Sequence, residues 1–222
     1  MTVILVLLTF LAFILADYLL SRKKAPRVQA VAEPRFEPAL EASFVDGFLV
    51  PGGFRYHPGH SWALHERKRR VRVGVDEFAA ALMGRVERIE LPRLGVWIRQ
   101  GQKAMQFFRD GEKAEMLSPA EGEVVEINPE VLRDPSLVRK DPYGQGWMML
   151  VDVPDEETIR RNLVPEGLVG GWMRAAVERL YALQPQIAGA VAADGGRPAQ
   201  DLSAALPDAS WKKLTQEFFL TK

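Results

Sequence analysis

The chain has 222 residues, with 29 Lys and Arg set against 29 Asp and Glu, three histidines and no cysteine. At 47% hydrophobic and 26% charged it has an ordinary globular composition, enough for one small or medium domain plus accessory length. The missing cysteine excludes disulfides, thiol nucleophiles, iron–sulfur ligation and Cys-based zinc sites, and the zero formal charge argues against a dedicated nucleic-acid binder.

The first element is an apolar run, Val3 to Leu20, interrupted only by Thr9, Asp17 and Tyr18. As a helix it would span about 27 Å, close to the thickness of a bilayer core. No basic residue precedes it, as a signal peptide would require, whereas Ser21-Arg22-Lys23-Lys24 follows it. The expectation is a single-pass anchor over residues 1–20. Its trailing cations hold the rest of the chain on the cytoplasmic side, and Asp17 snorkels near that face. Residues 21–45 carry Pro26, Pro34 and Pro38 among Ala, Arg and Glu, and read as a semi-extended tether.

From residue 46 to 153 the texture is that of short strands. Val71, Val73 and Val75 alternate with Arg70, Arg72 and Gly74, a half-buried strand. It pairs with a strand through Leu64 and His65, and the run Arg67–Arg70 at the turn reads as solvated charge. Asp76 to Met83 is a short helix with Asp76 as N-cap and Gly84 just past its end. Further strands are expected around Val86–Leu91, Val96–Ile98, Ala104–Phe108, Ala114–Leu117, Glu123–Ile127 and Trp147–Val153. Many short strands at this spacing give a mainly β barrel or sandwich with small helices attached.

Residues 154–222 change to helical periodicity. Leu168, Val169, Trp172, Met173, Ala176, Val177 and Leu180 form one apolar stripe, and Trp211, Leu214 and Phe218 line a last short helix. This helical C-terminal extension is expected to pack on the β domain, or to hold a partner. His57, His60 and His65 stand at H-x-x-H-x4-H, but strand geometry divides them between faces and no fourth ligand or acidic partner is evident, so no metal is expected. No Ser-His-Asp pattern, Walker loop or dinucleotide glycine motif is present.

Three segments, in order, resemble the glycine cleavage H-protein family, a lipoate-carrying branch of the biotinyl/lipoyl-domain fold. They are Tyr56-His57-Pro58-Gly59-His60-Ser61-Trp62; Val73-Gly74-Val75-Asp76 with Gly84-Arg85-Val86 and Glu90-Leu91-Pro92; and Ser118-Pro119-Ala120-Glu121-Gly122-Glu123-Val124 through Asp141-Pro142-Tyr143-Gly144-Gln145-Gly146-Trp147. The resemblance implies a barrel-sandwich hybrid. It also implies a carrier function in which one hairpin-tip lysine is amidated by lipoate, with the chemistry residing in the cofactor.

In the family that lysine sits in Glu-Ser-Val-Lys-Ala. Compared without a gap from Gly101 to Pro119, this chain has Phe108, Arg109, Asp110, Gly111 and Glu112 there, which puts Gly111 at the attachment position. Asp110-Gly111 is a favoured type I′ turn pair. Lys113, two residues on, keeps the same strand face and is the one candidate for a displaced attachment site. Phe107-Phe108 is expected to add bulk beside the tip. The expectation is a membrane-anchored, non-enzymatic H-protein-like domain without lipoate. It would act as an interaction or scaffold subunit, with a protein partner on the barrel surface or the C-terminal helices. The alternative is an active lipoyl carrier of a glycine cleavage or related one-carbon system, modified at Lys113.

Overall fold

A computed structural model describes residues 42–155, 157, 160–183, 202 and 208–222. The expected anchor and nearly all of the expected tether therefore lie outside the described residues. Among the described residues no helix is long and apolar enough to cross a membrane.

Eleven strands alternate with short helices in this part of the chain. A first hairpin pairs β1 (Ala42–Val45) with β2 (Phe48–Pro51) across Asp46 and Gly47, both at positive φ. It begins inside the stretch expected as tether. The reason is local: Asp-Gly between apolar residues closes a two-residue hairpin whatever precedes it.

A six-stranded sheet follows. It comprises β3 (Phe54–Tyr56), β4 (Ser61–Arg67), β5 (Arg70–Val75), β7 (Trp97–Ile98), β10 (Gly122–Ile127) and β11 (Met149–Asp152). Its spatial order is β3-β4-β5-β11-β10-β7, antiparallel at every pair. The expected alternation holds on β5, where Val71, Val73 and Val75 are fully buried and Arg70 and Arg72 are half-buried. A smaller sheet orders β6 (Arg88–Glu90), β8 (Lys103–Arg109) and β9 (Glu112–Leu117) as β6-β8-β9.

The helix α1 (Glu77–Met83) starts at Asp76, whose Oδ1 accepts the Ala79 N–H at 2.8 Å, and stops at Gly84 with φ 64°. Six of its seven residues are buried, so it lies inside the core rather than on it. Two further helices, α2 (Pro129–Arg133) and α3 (Leu137–Lys140), fill the interval between the strands expected at Glu123–Ile127 and Trp147–Val153. The signals for α2 are present: Asn128 caps it by accepting the Glu130 N–H at 3.0 Å, and proline suits the first helical position.

The C-terminal helices are α4 (Val169–Leu183) and α5 (Asp208–Phe218). Met173, Val177 and Leu180 of α4 and Trp211, Leu214 and Phe218 of α5 are buried in the same hydrophobic cluster as the sheet residues Trp62, Val73 and Phe107. Leu168 departs from the expected stripe. It belongs to a 3-10 turn, Glu166–Leu168, before the helix starts, and is 62% exposed.

Candidate functional site

The β8–β9 hairpin carries the residues singled out by sequence. Arg109 pairs with Glu112, so Asp110 and Gly111 alone make the turn, with φ of 49° and 76°. Positive φ at both central positions is the type I′ geometry. A Cβ built on Gly111 would meet nothing within 4 Å. The tip is exposed and open, and its smallness is a matter of sequence rather than of crowding.

Lys113 stands across from Phe108 on β8. Its amine donates to Glu115 Oε1 at 3.0 Å, and Lys103 bonds the other oxygen of the same carboxylate at 3.0 Å. The hydrogen bond from Lys113, followed by that from Lys103, holds the Glu115 carboxyl below its ordinary range. Lys113 is thus a strand residue tied along its own face, 44% exposed, and set back from the tip.

The two phenylalanines separate. Phe107 is fully buried, and only Phe108 faces outward, with the Arg88 guanidinium 3.7 Å over its ring. The expectation that both add bulk beside the tip is corrected by strand alternation, which sends neighbours to opposite faces.

The flank of the hairpin is held by the C-terminal extension. Arg109 lies 5.9 Å over the Trp211 ring, within cation–π range, while its Nε donates to Asp110 at 3.1 Å. The Trp211 indole N–H in turn donates to the Met83 carbonyl at 3.2 Å. α5 packs along β9, and Lys103 donates to the Thr221 carbonyl at 3.0 Å.

The extension also closes over the histidine segment. His60, at φ 66° and 1% exposed, sets its Nδ1 2.8 Å from Asp76 Oδ2. Its ring stacks on Phe78 at 4.4 Å and meets Trp172 of α4 at 4.7 Å. Sequence inspection missed this acidic partner because Asp76 is sixteen residues away and already assigned as a helix cap; it does both, one oxygen each. His57 is 7% exposed, and its Nδ1 accepts the Gly59 N–H at 3.0 Å. Burial, reinforced by the neighbouring His60, lowers its pKa to about 4. Among the described residues no group of three or more His, Cys, Asp or Glu is placed to hold a metal ion.

A tight, exposed β-hairpin stands on a core-filled antiparallel scaffold, and among the described residues no acid, base and nucleophile converge at its tip. Comparison with known proteins narrows the class. A family profile described as glycine cleavage H-protein matches residues 54–169. The glycine cleavage system H protein of Xanthomonas campestris pv. campestris is 32% identical over 117 residues, 53% of this chain and 89% of the relative. That of Stenotrophomonas maltophilia is 31% identical over 117 residues, covering 53% and 89%. Among solved structures, a glycine cleavage system H protein from Mycobacterium marinum aligns at 26% identity and TM-score 0.48, over 55% of this chain and 97% of that one. The chain belongs to the glycine cleavage H-protein family.

Proposed function

We propose that this chain is a membrane-tethered H-protein-like module, a barrel-sandwich hybrid that carries no lipoate and acts as a noncatalytic interaction subunit of a membrane-associated complex. The observation that carries the reading is Gly111. In the ungapped comparison from Gly101 to Pro119 the family's attachment point would fall on this glycine, the second residue of a type I′ turn, which has no side chain to modify. Its neighbours are committed elsewhere, Phe108 beneath Arg88 and Arg109 over Trp211. The apolar run at residues 3–20 supplies the anchor with the folded unit on the cytoplasmic side, and the proline-rich stretch after it supplies a reach on the order of 60 Å if extended. A protein partner would dock on the β surface or on α4 and α5. No nucleic acid, metal or enzyme activity enters the reading.

The test is the intact mass of the chain isolated from its native cell under lipoate-replete growth. The expected mass is that of the unmodified polypeptide, and detergent-solubilised chain is expected to retain a stable protein partner. A second reading, a lipoyl carrier modified at Lys113, is favoured by that amine's partial exposure two residues from the tip. A lipoyl adduct that disappears in Lys113→Ala would replace the first reading with the second.

A further inference from the structure

The strand register brings two unrelated features to one end of the six-stranded sheet. Arg70 on β5 pairs with Asp152 on β11, Asp152 with Glu123 on β10, and Glu123 with Trp97 on β7. Arg70, at the foot of the Lys68-Arg69 turn, and Trp97 on the β7 edge therefore share a row, three strand spacings or about 14 Å apart, with the Gly95 turn beside Val124 on the other side of it. At the edge, the Val96 N–H donates back to the Arg93 carbonyl at 3.3 Å and Gly95 sits at φ 77°, a tight turn that projects outward. It presents Leu94, Val96 and Trp97, which are 61%, 41% and 50% exposed. Exposed large apolar side chains grouped in one turn mark a contact surface.

The charge around this turn leans cationic, with the Glu123 carboxylate standing against it beside Gly95. Lys68, Arg93 and Arg99 are all exposed and have no carboxylate partner among the described residues. The acids in the row are partly answered: Asp152 is bridged by Arg69 at 3.1 Å and Arg70 at 3.5 Å, and Glu123, exposed, faces Trp97. Beyond them, Gln100 donates to the Arg161 carbonyl at 2.6 Å, which brings the backbone of the Arg160-Arg161 pair near the chain at Arg99. Asp155 and Glu157 share a shallow depression with those two arginines and offset them. A cationic excess thus borders an apolar, tryptophan-bearing turn. Tryptophan favours the headgroup level of a bilayer, and Lys and Arg near the surface are attracted by anionic lipid.

We propose that this end of the sheet rests on an anionic bilayer surface, with Leu94, Val96 and Trp97 seated at headgroup level and Lys68, Arg93 and Arg99 over the lipid phosphates. The inference rests on the anchored reading above, since a tethered domain meets the bilayer at high effective concentration. A second copy of the chain is the weaker occupant. β7 is only two residues long, bounded by the Gly95 turn and by Arg99, too short an edge to template another strand.

The absence of cysteine makes the test direct. Full-length Val96→Cys, spin-labelled and reconstituted in vesicles of phosphatidylcholine with or without phosphatidylglycerol, is compared with Glu130→Cys, on α2 at the opposite end of β10. The expected result is a severalfold rise in collision with oxygen and fall in collision with a water-soluble nickel chelate at position 96 alone. The effect should be stronger with phosphatidylglycerol, and weakened by high salt or by Lys68→Glu with Arg99→Glu. Equal access of the chelate to both labels, in a chain that floats with the vesicles, overturns the surface contact while leaving the anchor. Protection at 96 with dipolar broadening that vanishes on dilution with unlabelled chain assigns the turn to a second copy and also overturns it. A chain that does not float with vesicles refutes the anchor, and this inference with it.

Discussion

Acidification should loosen the chain through His57, and the size of the effect follows from its surroundings. The imidazole is almost fully buried, and its Nδ1 must keep a lone pair to accept the Gly59 N–H at 3.0 Å. Gly59 in turn lies under the C-terminal segment, where a Cβ would stand 2.9 Å from the Phe219 carbonyl oxygen. Burial and the adjacent His60 hold the folded-state pKa near 4, against the 6.5 of a free histidine. The unfolded chain therefore takes up a proton that the folded chain refuses throughout that window. The stability present above pH 6.5 drains away as pH falls to about 4, by up to about 3 kcal/mol, a substantial part of a typical domain's total. The assay is urea unfolding of the full chain in micelles across this range, followed by tryptophan emission, for wild type and His57→Asn. Asparagine can still accept the Gly59 N–H in an Asx turn but does not titrate. Carboxylates such as Glu115 titrate in both proteins and cancel in the difference. Wild type should lose about 3 kcal/mol more than the variant between pH 7 and 4. Parallel stability–pH curves would refute the reasoning, whatever the variant's absolute stability.

Asp76→Ala should cost about 2–4 kcal/mol in the same unfolding assay, combining a lost helix cap with a buried His60 nitrogen left unpaired, and Asp76→Asn should cost less because it keeps the cap. Gly111→Lys should leave the chain folded, since nothing stands within 4 Å of a Cβ there, and should lower stability by only about 1–2 kcal/mol for a side chain at φ 76°; a larger loss would mean that the tip is crowded. Trp211→Ala should cost about 3–5 kcal/mol, and limited proteolysis should then cut the C-terminal segment before any strand is lost.

The sequence makes the hairpin tip legible because the turn is local: Asp110-Gly111 dictates its own geometry wherever it stands. The same signal at Asp46-Gly47 passes unread, since the proline-rich stretch before it suggests that no sheet has yet begun. The α1 boundaries are equally legible from Asp76 and Gly84. The His60–Asp76 pair and the hold of Trp211 on Arg109 are not, because each joins residues far apart in sequence through a packing arrangement that no periodicity encodes. Alternation does tell that Phe107 and Phe108 part ways. Reading them together as bulk applies composition where period 2 was the stronger guide.

The Gly111 turn and the C-terminal helix α5 bear on one another physically. β9 is the free edge of the three-stranded sheet, and an exposed edge is a liability that α5 removes by packing along it. The helix brings Trp211 under Arg109, and the residues after it bring the Thr221 carbonyl to Lys103, so the strands leading to the turn are pinned from the side. The far edge of the larger sheet is exposed too, where Leu94, Val96 and Trp97 face outward. Replacing Gly111 with lysine would set an amine on a tip that is itself open, above strands that stay pinned from the side by Trp211 and the Thr221 carbonyl.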